Sequence, residues 1–125
     1  MAHIVVADDD PDIRLITATI LRRAGHEVSV CADGGELLAY IKSAAPDVVV
    51  TDNEMPVHTG LQVVVMIRED PAVAWIPVIL ATGSVSAADA EQTLGDGDQL
   101  LPKPFTMKQL HEAVDGALRF AGAER

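Results

Sequence analysis

A chain of 125 residues has the length of one compact domain. Hydrophobic residues make up 49% and aromatics only 3%, so a sizeable core must be built from Val, Ile, Leu and Ala. The formal charge of −10, from 19 acidic against 9 basic residues, disfavours direct nucleic-acid binding and suits a cation or a basic protein surface as partner.

The first apolar run, residues 4–7, is too short for a signal sequence and passes straight into acids, so it reads as a buried strand. A helix follows, capped by Asp10 or Asp12, with Pro11 in its first turn and Gly25 just past its end. Ile13, Ile16, Ile20 and Leu21 form its apolar stripe. The second strand, 26–31, carries the single cysteine, Cys31, which allows no internal disulfide and reads as a small buried hydrophobe. A helix over 35–44 turns Leu37, Leu38 and Ile41 inward. Residues 48–51 open with three consecutive valines, as in a strand covered on both faces.

The third helix, 61–69, stops before the Asp70-Pro71 turn. A strand over 78–81 leads to a short helix over 87–94 and the glycine-rich Gly95-Asp96-Gly97. The run 99–101 is weak alone and is a strand by its place in the alternation. The last helix starts near Thr106 and carries Leu110, Val114 and Leu118 at helical spacing, with 121–125 expected to fray. No stretch is long enough to span a membrane, and a cytoplasmic location is the expectation. Five βα units predict a doubly wound three-layer α/β/α sandwich, with a five-stranded parallel sheet in the flavodoxin-like order 2-1-3-4-5.

In such a sheet the ligand lies beyond the carboxyl ends of the strands, where the strand order reverses. Strand 1 ends in Asp8-Asp9-Asp10, and strand 3 ends in Asp52 with Glu54 two residues on. Converging carboxylates repel one another, and a hard divalent cation with oxygen ligands relieves that conflict; Mg²⁺ is the usual choice in phosphate chemistry. Strands 4 and 5 end in Thr82 and Lys103, a hydroxyl and an ammonium suited to phosphoryl oxygens. Asp52 remains as the nucleophile. Singly, each of these residues is more often a helix cap, a solvated turn or plain surface. Their joint placement on one edge favours the functional reading.

Over nearly its whole length the chain resembles a response-regulator receiver domain. The resemblance is carried by Ile4 to Arg14, by Pro46 to Pro56 with Gly60, by Pro77 to Gly83, and by Leu101-Pro102-Lys103-Pro104-Phe105. It implies that Asp52 is the phosphoacceptor and that Asp9 binds Mg²⁺ directly. Asp8 would act through water or orient the site, and Glu54 would ligate through its backbone carbonyl. Thr82 and Lys103 would contact the phosphoryl oxygens, and Lys103-Pro104 would be cis. The phosphoryl donor would be a histidine kinase or histidine phosphotransfer protein. The domain would catalyse only its own phosphorylation and dephosphorylation, and would signal to a downstream protein as a monomer or weak dimer. One receiver domain over 1–125, with no output domain, is the expected organisation.

Two positions depart from the resemblance. Leu100 stands where an aromatic is frequent, and Gly95 to Asp98 replace a small apolar turn, so the region before strand 5 is expected to be loosely held. Glu54 is expected to alter the lifetime of the phosphorylated state. His3, His26, His58 and His111 are scattered and read as packing or surface residues, as do Trp75, Arg14 and Lys42. A phosphate-independent binding module is the main alternative. A flavodoxin-type electron carrier is disfavoured by the acidic loop and scarce aromatics, and a small-molecule phosphohydrolase by the lack of a second assisting acid.

Overall fold

The computed structural model describes residues 2–124, and every expected element is present with ends moved by one residue at most. The chain alternates β1 (His3–Ala7), α1 (Pro11–Arg23), β2 (Glu27–Cys31), α2 (Gly34–Ala44), β3 (Val48–Thr51), α3 (Gly60–Arg68), β4 (Val78–Thr82), α4 (Ala87–Thr93), β5 (Gln99–Pro102) and α5 (Met107–Glu124). The five strands are parallel in the order β2-β1-β3-β4-β5. β1 therefore neighbours both β2 and β3, and the strand order reverses between β1 and β3.

Because successive side chains of a strand point to opposite faces, the valine-rich strands feed two cores at once. Ile4, Val6, Val48, Val50 and Ile79 pack with Ala18 and Leu21 of α1 and with Leu110, Val114 and Ala117 of α5. Val5, Ala7, Val49 and Val78 pack with Leu37 and Ile41 of α2 and with Val63, Val64 and Ile67 of α3. Among the described residues no helix is long and apolar enough to cross a membrane.

Capping follows the sequence signals. Asp10, not Asp12, caps α1 by accepting from the Asp12 and Ile13 amides, and Gly25 beyond its end holds φ +95°. Thr59 and Gln62 form a reciprocal capping box at α3, and Thr106 and Gln109 exchange the same pair of bonds at α5. α5 stays helical to Glu124, so only Arg125 of the end expected to fray lies outside the described residues.

Two points refine the sequence reading. The α1 stripe is only half covered: Leu21 is fully buried and Ile20 packs against the core, while Ile16 is 59% exposed and Ile13 is only partly covered. The α5 side of this stripe ends in Phe105 and Met107, which leaves a groove between the two helices.

The turn before β5 is also not loosely held. Asp98, whose side chain is 1% exposed, pairs with Arg68 of α3 and accepts from the Val78 and Gly95 amides. Arg68 in turn donates to the carbonyls of Ala74 and Ile76. Gly97 leaves the room that Phe120 fills, since a Cβ there would lie 2.2 Å from the ring. Removing the buried carboxylate would take the acceptor from Arg68 Nη2 and from the two amides. Asp98→Ala is expected to lower stability by about 3 kcal/mol in urea unfolding, the range for a broken buried pair; a loss below about 0.5 kcal/mol would show that the turn does not depend on Asp98.

Candidate functional site

Sheet register puts the acids side by side. Ala7 is paired with Thr51, so Asp8 and Asp52 leave adjacent strands at the same level, and the Asp52 amide donates to the Ala7 carbonyl at 2.9 Å. Thr82 is paired with Pro102, so Lys103 enters from the next strand pair along the same edge. Carboxylate oxygens of Asp8, Asp9 and Asp52 all come within 4.8 Å of one another. Lys103 Nζ lies 2.8 Å from Asp8 Oδ2 and 3.6 Å from Asp52 Oδ1. The Lys103-Pro104 peptide is cis, as the resemblance implies.

Asp8 is buried and fully engaged. Its amide donates to the Cys31 carbonyl, its Oδ1 accepts from the Asp10 amide at 3.0 Å, and its carbonyl accepts from Arg14 Nη1 at 2.9 Å. Arg14 is thus half-buried at the site and is not the solvated face residue expected from sequence. Asp9 is exposed. Asp52 takes the Asn53 amide on Oδ1 at 2.8 Å.

Burial raises the pKa of Asp52 above the ordinary carboxylate value, and Asp8 adds to the rise; Lys103 and the amides of Asn53 and Glu54 oppose it. Burial, with Glu36 and Asp33 nearby, lifts the Cys31 thiol to about 11, which suits an inert core cysteine.

The neighbouring loops are braced by side chains that sequence reasoning passed over. Asn53 is buried, accepts from the Leu61 amide on Oδ1 and donates from Nδ2 to Glu54 Oε1. Ser84 donates to the same Glu54 oxygen at 2.7 Å, and its amide donates to Thr82 Oγ1 at 3.1 Å. These hydrogen bonds, Ser84's first, hold the Glu54 carboxyl below its ordinary range. Glu54 therefore ties the β3–α3 loop to the β4–α4 loop, with buried Thr82 in the chain of bonds. The only signal for Ser84 was its position two residues beyond Thr82.

The β3–α3 loop rests on the start of α2. The Gly34 amide donates to the Pro56 carbonyl at 3.1 Å, and a Cβ on Gly34 would stand 2.1 Å from the His58 carbonyl oxygen. Gly34 is what allows this close approach. His58 is thereby placed over α2. Val57 between them has φ +72°, a strained conformation for a β-branched residue, with His58 N–H closing a tight turn onto Pro56. His3 lies away from the site, in hydrogen-bond contact with Tyr40.

The chain matches the family model described as "Response regulator receiver domain" over residues 4–115. It is 36% identical over 121 residues to the transcriptional regulatory protein PrrA of Mycobacterium leprae, covering 97% of this chain and 52% of that protein. It is 32% identical over 118 residues to the DNA-binding response regulator MtrA of Mycolicibacterium smegmatis, covering 94% and 50%. The chain thus spans about half the length of these curated relatives. Among solved structures, the chemotaxis response regulator CheY4 of Vibrio cholerae superposes with a TM-score of 0.84 at 31% identity, covering 94% of this chain and 99% of that one.

The raised pKa of Asp52 makes a pH prediction. The unfolded chain ionises this group at its ordinary value of 3.8, and the fold ionises it later, so the folded state holds the proton more tightly. The stability due to that proton is fully present below pH 3.8 and is lost as pH rises through the higher folded value. At neutral pH the ionised Asp52 therefore destabilises the fold, and Asp52→Asn is expected to raise the urea midpoint at pH 7, with the gain closing as pH falls below about 4. A midpoint at pH 7 equal to the parent's would mean that Lys103 and the two amides fully offset burial.

Proposed function

This chain belongs to the response-regulator receiver domain family, and from that premise we propose that Asp52 accepts a phosphoryl group from a phosphohistidine donor in a Mg²⁺-dependent reaction. Receiver domains of response regulators act in phosphorylation-dependent signalling and are signalling domains, not enzymes in the ordinary sense. The observation that carries the proposal is the trio of Asp8, Asp9 and Asp52, with ligand atoms within 4.8 Å of one another, faced by the single ammonium of Lys103.

The donor set fits a hard cation: three carboxylates from two loops, two of them partly or largely open to solvent. Asp8, Asp9 and Asp52, with the Glu54 backbone carbonyl, are the groups to hold Mg²⁺, which when bound supplies positive charge against the phosphoryl oxygens. The rest falls to the chain. An Asp52 carboxylate oxygen attacks phosphorus, the P–N bond to the donor imidazole breaks, and the imidazole keeps that electron pair and takes up a proton. The product is an acyl phosphate. Asn53 fixes the Asp52 carboxylate in direction through its amide. Lys103 exchanges its carboxylate partners for phosphoryl oxygens, and Thr82 turns its hydroxyl from Ser84 toward the same oxygens. Attack of water on the acyl phosphate returns the carboxylate and inorganic phosphate.

The donor we propose is a histidine kinase or histidine phosphotransfer protein. A groove of about 540 Å³ between α1 and the start of α5, lined by Ile13, Ile16, Ile20, Phe105 and Met107, shares Lys103 with the acidic site. Arg23 and His111 line the hollow that adjoins it. An acidic amphipathic helix suits that mixture of apolar floor and cationic border, and a donor seated there stands beside Asp52. The downstream contact we propose is a protein, in keeping with the −10 charge, although the relatives matched over half their length are named as DNA-binding or transcriptional regulators. A buried, inert Cys31 is in keeping with the cytoplasm.

Intact mass after incubation with a small phosphodonor tests the chemistry. One phosphoryl adduct is expected with Mg²⁺, none with EDTA, and none for Asp52→Asn. A folded protein that stays unmodified would favour a phosphate-independent binding module. Glu54 allows a second test, because its carboxylate stands over the loops flanking Asp52. Glu54→Ala is expected to change the decay rate of the adduct severalfold, and a decay rate equal to the parent's would remove Glu54 from control of its lifetime.

A further inference from the structure

Asp8 and Asp9 are joined by one peptide group, and the oxygen of that group is the Asp8 carbonyl. Arg14 Nη1 donates to this oxygen at 2.9 Å. The guanidinium belongs to α1, whose own start is fixed by the Asp10 cap and by the bond from the Arg14 amide to the Asp10 carbonyl at 3.0 Å. Asp10, Arg14 and the Asp8–Asp9 peptide thus form a closed loop of hydrogen bonds around the acidic turn. No other side chain from the body of a helix reaches this peptide among the described residues. No described carboxylate lies within ion-pair distance of Arg14, so the side chain is not held there by a salt bridge.

A charge placed here only to offset the acids would pair with a carboxylate. A guanidinium spent on a backbone oxygen acts on direction instead. With the peptide plane fixed, the Cα–Cβ bonds of Asp8 and Asp9 leave it at a set mutual angle. That matters unequally to different cations. Mg²⁺ requires near-ideal octahedral geometry at about 2.0–2.1 Å, whereas Ca²⁺ accepts irregular coordination at about 2.3–2.6 Å.

We propose that Arg14 is a positioning residue that makes the acidic turn selective for Mg²⁺ over Ca²⁺ by clamping the peptide between Asp8 and Asp9. This rests on the reading of the trio as the Mg²⁺ site, and it concerns the choice of ion, not the transfer itself. Loss of the clamp lets the peptide tip and costs Mg²⁺ its geometry, while Ca²⁺ adapts.

Isothermal titration of the whole chain with MgCl₂ and with CaCl₂ tests this, using the parent, Arg14→Gln and Arg14→Lys. For Arg14→Gln the Mg²⁺ affinity is expected to fall about tenfold, the scale of one hydrogen bond from a charged donor, with the Ca²⁺ affinity within about threefold of the parent. Arg14→Lys keeps the charge but not the planar fork, and an intermediate Mg²⁺/Ca²⁺ ratio is expected. A role of charge alone predicts that both affinities rise together in Arg14→Gln, by removal of a repelling cation, and that Arg14→Lys matches the parent; either result overturns the proposal. Equal falls for both ions, or no change, overturn it as well. Should Arg14→Gln not fold, judged by circular dichroism, the Arg14→Lys ratio decides alone, and a parental value overturns the proposal. A parent chain that binds no Mg²⁺ would overturn the reading of the trio, and the inference with it.

Discussion

Three carboxylates crowded at the ends of two adjacent strands set the terms for everything around them. At the spacing of Asp8, Asp9 and Asp52, a like-charge pair costs on the order of 1 kcal/mol in water and about 4 kcal/mol at a protein surface. Among the described residues Lys103 is the cation in ion-pair contact with these acids, and it divides itself between Asp8 and Asp52. One ammonium against three carboxylates leaves an excess of negative charge. The pKa of Asp52 is raised by burial, with Asp8 adding to the rise and Lys103 opposing it. A site built this way is primed for a cation.

Holding such a site together takes stability from elsewhere in the molecule. The sheet supplies most of it: Ile4, Val5, Val48, Val49 and Ile79 are fully buried between two helical layers, and each such side chain contributes about 1.5–3 kcal/mol by leaving water. The register of those strands, not the preference of the acids, brings Asp8 beside Asp52. Polar ties then fix the loops. Asn53 fastens the β3–α3 loop to α3, Gly34 lets that loop seat on α2, and Arg14 fastens the β1–α1 turn to α1. At the opposite end of the sheet, the Arg68–Asp98 pair fixes the entry to β4 and β5. The strain at Val57 persists because its neighbours on both sides are committed, Pro56 to Gly34 and Thr59 to the cap of α3.

What was legible in the sequence follows from period and punctuation. Consecutive valines flanked by turn residues read as a covered strand, and once five short apolar runs alternate with helices the strand ends share an edge. That is why Asp8, Asp9, Asp52, Thr82 and Lys103 could be placed together before any coordinates. Side chains that act on backbone groups left no such mark. An Arg in the first turn of a helix has the same spacing whether it is solvated or, as Arg14, turned back onto a carbonyl. Asp98 sits in a Gly-Asp-Gly-Asp run that suggests a loose turn, and its burial depends on Arg68, thirty residues earlier. The α1 stripe has a related limit: helical spacing shows that Ile13, Ile16, Ile20 and Leu21 are apolar neighbours, not that Ile16 would stay uncovered.

The exchange of Leu for an aromatic at position 100 gains its meaning from Thr82. Leu100 is partly buried and in register with Leu80, and its side chain has no polar group to offer. The hydroxyl of Thr82 is instead bonded to Ser84, which donates to Glu54, which also accepts from Asn53. The series runs from the last residue of β4 into the two loops flanking the Asp52 carboxylate, so a displacement of the Thr82 hydroxyl cannot be absorbed silently within β5. It must break or remake bonds that join the β3–α3 loop to the β4–α4 loop. α4, seven residues long, begins three residues beyond Ser84, and the turn that follows it is anchored by Asp98. α4 is thus tied at its far end by Asp98 and at its start, through Ser84, to the hydroxyl of Thr82.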